Sequence, residues 1–178
     1  MNSAEKEKLR KILMKNARLF NLKIKAKKDG YFMMEDFNLF TLIVNEIFSW
    51  ELQITIDCAT EGRIHSMMFL HPVVITTATK PAYIKFANEA NLYLASAMGR
   101  FGVNDNDYCY ECYLPEFLLE YESELENQLF DKPFVHFRDC LSPLMKMKDG
   151  EWNAEHAIKY LTELRKNGYV DNQEYNLW

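Results

Sequence analysis

Trp50-Glu-Leu-Gln-Ile-Thr-Ile-Asp-Cys58 is the stretch whose reading decides the fold. Trp50, Leu52, Ile54, Ile56 and Cys58 alternate with Glu51, Gln53, Thr55 and Asp57, the period-2 pattern of a strand with one buried and one solvated face. Thr60-Glu61-Gly62 turns the chain back, and residues 63–70 supply the returning strand. Pro72 then interrupts the ladder, so that residues 73–77 continue as an edge strand or a bend. On the other side, residues 37–48 fit helix or strand, and their β-branched content favours strand. Asp29-Gly30 marks a hairpin turn between extended pieces at 22–26 and 31–34. Together these segments predict a meander of three or four antiparallel strands.

Helical spacing takes over at both ends of the meander. Asn2 with Glu5 forms an N-cap signature, and Leu9, Ile12, Leu13, Asn16 and Phe20 recur along one face of a first helix that ends near Phe20. Thr79 and Pro81 open a second helix, running to about Met98, with Ile84, Ala87, Asn91 and Leu94 on one stripe. The amide of Asn91 in that apolar stripe needs a hydrogen-bond partner, which a strand backbone can supply. Gly99 and Gly102 release the chain into a second hairpin, residues 100–103 and 108–114, turning on Asn104-Asp105-Asn106-Asp107. Pro115-Glu116 starts a third helix reaching Phe130, with Leu118, Tyr121, Leu125 and Leu129 inward and Glu116, Glu120 and Glu124 outward. A further helix follows Asp131-Lys132-Pro133 to Lys148, bent at Pro143. Gly150 ends it, and Asn153 caps a last helix to about Asn167 with Ala157, Tyr160, Leu161 and Leu164 inward. The order is α-β-β-β-α-β-β-α with an extra C-terminal helix, an α+β class in which helices pack against an antiparallel sheet. Residues 1–150 form a single α+β domain, and residues 151–178 a C-terminal helical extension packed on it.

The 178 residues are 48% apolar, enough for one substantial core, which excludes a disordered or fibrous chain. The net charge of −5 hides an asymmetry: residues 1–28 carry +8 and the remainder −13. Lys8, Lys11, Lys15 and Arg18 cluster on the side of the first helix opposite its apolar stripe. Between Phe101 and Asp131 stand nine carboxylates and no Lys or Arg, with Glu116, Glu120 and Glu124 on the third helix. These seven residues are the candidates for partner binding, because opposed patches steer association with a protein or with a second copy of the chain. Nucleic acid is the competing partner for the basic stripe. The acidic remainder opposes it, as does the lack of interleaved aromatics, since residues 1–28 contain only Phe20.

No run reaches the roughly 18 apolar residues of a membrane span, and the N-terminus lacks the pattern of a secretory signal. The chain reads as cytoplasmic, with no membrane contact. Cys58, Cys109, Cys112 and Cys140 are expected as free thiols. Cys109 and Cys112 have the C-x-x-C spacing, but strand alternation sends their sulfurs to opposite faces. Asp105-Asn106-Asp107 with Glu116 matches part of a calcium-loop spacing, yet Tyr110 stands where that loop turns on glycine. The segment reads as a polar hairpin turn. His65, His71, His136 and His156 lack the partners of a metal or catalytic motif, and six glycines offer no phosphate cradle. No catalytic residue, cofactor or metal ligand is assigned.

A helix with Asn88-x-x-Asn91, a glycine-linked step to a strand at 100–103, an Asp/Asn turn, a second strand at 108–114 and an acidic helix at 116–130 resembles the C-terminal half of YbjN-like proteins. Those proteins resemble type III secretion chaperones in fold, with the order helix, three strands, helix, two strands, helix. The resemblance covers residues 1 to about 148, and residues 35–48 depart from it in length. It implies a non-enzymatic protein-binding, chaperone-like or regulatory module, often a dimer. It transfers no catalytic residues.

Overall fold

In the computed structural model the described residues are 1–19, 31–34, 39–47, 50–71, 73–92 and 97–166. Helix α1 (Ser3–Leu19) precedes four strands, β1 (Tyr31–Met34), β2 (Leu39–Ile47), β3 (Trp50–Asp57) and β4 (Arg63–His71). Helix α2 (Lys80–Asn91) leads to the hairpin β5 (Gly99–Asn104) and β6 (Asp107–Pro115). A 3₁₀ turn (Glu116–Glu120), α3 (Glu122–Glu126), a π-helical turn (Asn127–Asp131), α4 (Lys132–Lys148) and α5 (Ala154–Lys166) complete the chain. The six strands form one antiparallel sheet in the order β1-β2-β3-β4-β6-β5. The α+β class read from the sequence holds, with the larger of the two strand counts in the meander. The ambiguous stretch 37–48 is strand over β2. Phe20, the 22–26 piece, the Asp29-Gly30 turn and the chain beyond Lys166 lie outside the described residues.

The alternation that opened the sequence reading decides which face is buried. Ile54 and Ile56 of β3, Ile64, Met68 and Leu70 of β4, and Tyr110, Cys112 and Leu114 of β6 are all at or below 4% exposure. The helices close over this face with Leu9, Leu13, Phe86, Phe130, Phe137, Leu144, Ala157 and Leu161, so α5 shares the same core. Burial of large apolar side chains at about 25 cal/mol per Å² is the main favourable contribution to such a layer. On the opposite face Gln53, Thr55, His65, Met67, Phe69 and Glu111 are half-buried and Tyr113 is exposed.

The caps at Asn2, Asn153 and Gly150 behave as the sequence predicts, whereas Thr79 makes no capping hydrogen bond to α2, its Oγ1 accepting instead from Thr76 N at 2.9 Å. Asn2 Oδ1 accepts from Ala4 N at 2.9 Å and Glu5 N at 3.0 Å, while Glu5 Oε2 accepts from Asn2 N at 2.6 Å. Asn153 Oδ1 accepts from His156 N at 3.0 Å. Gly150, at φ +74°, supplies the left-handed residue after α4.

Two elements differ from expectation. The third helix is broken. Pro115 is extended, and Tyr121 leaves helical geometry at φ −118°, ψ 65°, so the first five residues wind as a 3₁₀ turn. Leu118 and Leu119 turn inward, while Tyr121 is 62% exposed instead of facing the core. The π-helical turn then adds a residue to the helical winding, and Gln128, Leu129 and Phe130 all bury. Second, α2 ends at Asn91, and its inward face is Tyr83, Phe86, Ala87 and Ala90, with Ile84 41% exposed. Of the two alternatives left open for residues 73–77, the edge strand is not formed: 73–76 join no ladder and are pinned by Ile75 N donating to Asn106 O at 2.8 Å.

Candidate functional site

Of the seven charged residues singled out from the sequence, Lys8 and Glu120 meet each other, whereas Lys15, Glu116 and Glu124 take partners outside the set. Lys8 Nζ lies 3.3 Å from Glu120 Oε1. Lys15 Nζ donates to Glu122 Oε1 at 2.9 Å and Glu126 Oε1 at 2.8 Å, and the buried Asn16 amide also donates to Glu126 Oε1. Its hydrogen bonds to Glu126 first and Glu122 second hold the Lys15 ammonium up at about 12, and the same contact with Lys15 draws the Glu122 carboxyl below its usual range. Glu124 accepts from Gln128 Nε2 at 2.7 Å and lies 3.7 Å from Lys132 Nζ. Glu116 Oε2 accepts from Gly62 N at 2.9 Å, and its Oε1 stands 3.4 Å from the Met1 nitrogen. Lys11 and Arg18 are exposed. The sequence-level separation of charge therefore closes within the chain, α1 lying along the acidic segment. Exposed pairs of this kind individually contribute little to stability.

The outer sheet face holds a cluster that the linear sequence does not reveal. Register places His65 of β4 opposite Tyr113 of β6. Their rings stack with centroids 4.3 Å apart and planes 2° from parallel. Glu111, two residues along the same face of β6, ties them together: its Oε1 accepts from Tyr113 Oη at 2.8 Å and lies 3.1 Å from His65 Nε2. Arg100 of β5 approaches Glu111 Oε2 at 3.8 Å, with its side chain 75% exposed. A cleft of about 500 Å³ adjoins, with Met67, Cys109, Asn88 and Arg100 in its walls. The four clustered residues lie up to 48 positions apart, so no spacing motif connects them. The available signal was strand parity on β6, which puts Cys109, Glu111 and Tyr113 on one face, combined with the pairing of β6 beside β4.

Asn91 finds the strand backbone that the sequence asked for. Its Nδ2 donates to Phe101 O at 2.8 Å and its Oδ1 accepts from Phe101 N at 2.7 Å. The side chain occupies the outer edge of β5 as a neighbouring strand would, so that edge is closed at Phe101.

Cys109 and Cys112 lie on opposite faces of β6, as the alternation requires. Cys112 sits in the core and Cys109 in the wall of the outer cleft. All four cysteines are buried and none is joined in a disulfide. Burial pushes the thiols up, Cys109 to about 11 and Cys112 to about 12, which leaves them poor nucleophiles and poor metal ligands. The 105–107 segment is the turn of the β5–β6 hairpin, with Asp105 at φ +50°.

Between α4 and α5 lies a buried charged group. Asp139, 3% exposed at its side chain, has Arg138 at 3.4 Å on Oδ1 and Arg165 at 4.0 Å on Oδ2. Burial raises the Asp139 carboxyl against the lowering pull of both arginines. His136 beside them is driven down to about 4, by burial first and then by Arg165, Lys132 and Arg138. It is therefore neutral at physiological pH.

Among the described residues no three His, Cys, Asp or Glu side chains gather as a metal site, and no helix is long and apolar enough to cross a membrane. Compared with known families, curated proteins and solved structures, the chain matches no family model, and none of those proteins or structures matches it significantly.

Proposed function

We propose that the chain is a non-enzymatic, cytoplasmic protein-binding module, chaperone-like or regulatory as the YbjN-like resemblance implies, and that it seats a polypeptide segment on the outer sheet face around Tyr113. The observation that carries this reading is the His65–Tyr113–Glu111–Arg100 cluster. Tyr and Arg are the residue types that dominate interface energetics. Here the Tyr113 ring is fixed before any partner arrives, by stacking on His65 and by its hydrogen bond to Glu111. A pre-positioned aromatic loses little freedom on binding, and that saving appears as affinity. Side-chain docking on the face is favoured over strand addition at β5, because Asn91 already takes the Phe101 backbone. The pairing of Lys8 and Lys15 with carboxylates supports a protein partner over nucleic acid, since it leaves fewer cations on α1 for phosphates.

The test is retention of polypeptides at low salt by immobilised protein, compared with Tyr113→Ala and Arg100→Ala variants whose circular dichroism matches the parent. The reading expects polypeptides held by the parent and released by both variants. An identical set on all three proteins, or none on the parent, overturns it.

A further inference from the structure

Two strongly solvent-exposed aromatic rings stand away from the outer sheet face, on the acidic segment after β6. Phe117 is 63% and Tyr121 62% exposed, their rings edge to face with centroids 6.3 Å apart. Neither is needed by the core, which the same segment supplies through Leu118, Leu119 and Leu125. Adjacent exposed apolar rings rimmed by polar residues are the kind of surface that interaction sites present. Phe117 also forms part of the wall of an open cleft of about 800 Å³, at the junction of α1, the β3–β4 turn and the 3₁₀ turn.

The charge around this cleft selects its occupant. Glu5, Glu61, Glu116 and Glu120 stand in its walls against two cations, Lys6 and the Met1 amine, the latter 3.4 Å from Glu116, which leaves the lining net acidic. The adjoining chain carries no Lys or Arg from Phe101 to Asp131. The same acidic segment already receives amines on its α1 side, where Lys8 meets Glu120 and Lys15 meets Glu122 and Glu126. A cationic side chain laid against Phe117 and Tyr121 gains both the ring faces and the neighbouring carboxylates.

We infer that the Phe117–Tyr121 ledge and its cleft form a docking surface for a basic polypeptide segment, one that presents arginine or lysine beside apolar residues. This inference shares with the proposed function only the assumption that the chain binds polypeptides. It places the contact on a different surface and gives the partner a sign of charge.

The experiment uses the full chain and fluorescence anisotropy of a labelled eight-residue peptide alternating arginine and leucine. The same peptide with citrulline or glutamate in place of arginine serves as control. Phe117→Ser/Tyr121→Ser and Glu61→Gln/Glu120→Gln change only exposed side chains and leave the core intact. The expected result is binding of the arginine peptide that weakens about tenfold in each double variant, falls with added salt, and is absent with glutamate. No binding by the parent at low salt, equal binding of arginine and citrulline peptides, or binding unchanged in both double variants overturns the inference. Tyr113→Ala separates the two readings. If it releases the polypeptides held by the parent while the arginine peptide still binds, both stand. If it leaves arginine-peptide binding and polypeptide retention alike unchanged, only the outer-face reading falls. If it abolishes arginine-peptide binding, the site assigned to the ledge is wrong.

Discussion

Gly99 lies directly beneath the Tyr110 ring. A methyl group at position 99 would press into Cζ, Cε1 and Oη of that ring more closely than side-chain carbons ever approach. Tyr110 is fully buried and packs edge-on against Phe101 and Phe137, so the ring has no room to retreat.

Gly99→Ala is therefore expected to destabilise the fold by about 1–3 kcal/mol, the usual cost of overpacking a filled core. The urea midpoint measures it. In a Tyr110→Leu background the same change at position 99 should cost much less, and equal costs in the two backgrounds would refute the contact as the cause.

Asn91→Ala removes both hydrogen bonds to Phe101 and leaves that backbone unpaired at the sheet edge. A loss of about 2 kcal/mol is expected from two bonds at roughly 1 kcal/mol each. Amide hydrogen exchange gives the sharper readout, because protection should fall first at Phe101. Unchanged exchange there would show that the edge is held by something else.

His136 makes the fold sensitive to acid in a defined window. Its folded-state pKa of about 4 lies below the ordinary 6.5, so the unfolded chain takes up the proton more readily. Stability is intact above about pH 6.5 and declines as pH falls toward 4, by about 3 kcal/mol at full protonation. The raised carboxyl of Asp139 works in the opposite sense, favouring the folded state as it gains a proton. Subtracting the stability–pH curve of His136→Gln from that of the parent isolates the histidine. A flat difference between pH 6.5 and 4 would contradict the assignment.

Charge reversal should be correctable across the α1 contact. Lys15→Glu places a third carboxylate against Glu122 and Glu126, and the thermal midpoint should drop at low salt and recover at high salt. Adding Glu122→Lys should restore most of the loss. A salt-independent deficit would mean that the lysine acts through packing.

The thiols should be silent in the folded protein. Desolvation raises all four, so a thiol-reactive chromophore should label the native chain slowly and all four cysteines on unfolding. Rapid labelling of Cys109 alone would show that the outer cleft admits reagents to its sulfur.

Which features were legible follows from how far apart the determining residues lie. The alternation from Trp50 to Cys58, the caps at Asn2 and Asn153 and the turn at Asp105 are set within a few residues, and each was readable. Asn91 was legible because an amide in an apolar stripe raises a local question with few answers. The break at Tyr121 was not, since its spacing fits a helix and only the competing burial of Leu118 and Leu119 selects the 3₁₀ winding. The basic stripe falls on α1 as read, whereas the acidic one is divided between the 3₁₀ turn and α3, and the pairing of the two needs the α1 contact, more than a hundred residues apart in sequence. The Glu111 cluster was hidden for the same reason: β6 enters the sheet beside β4, and nothing in 108–115 announces its neighbour.

At Phe101 the Asn91 side chain does for β5 what one residue of a further strand would do, taking the outward N–H and C=O together. A strand arriving at this edge would first have to displace an amide that belongs to the chain's own helix, so the contact that satisfies β5 also guards it against foreign pairing at that point.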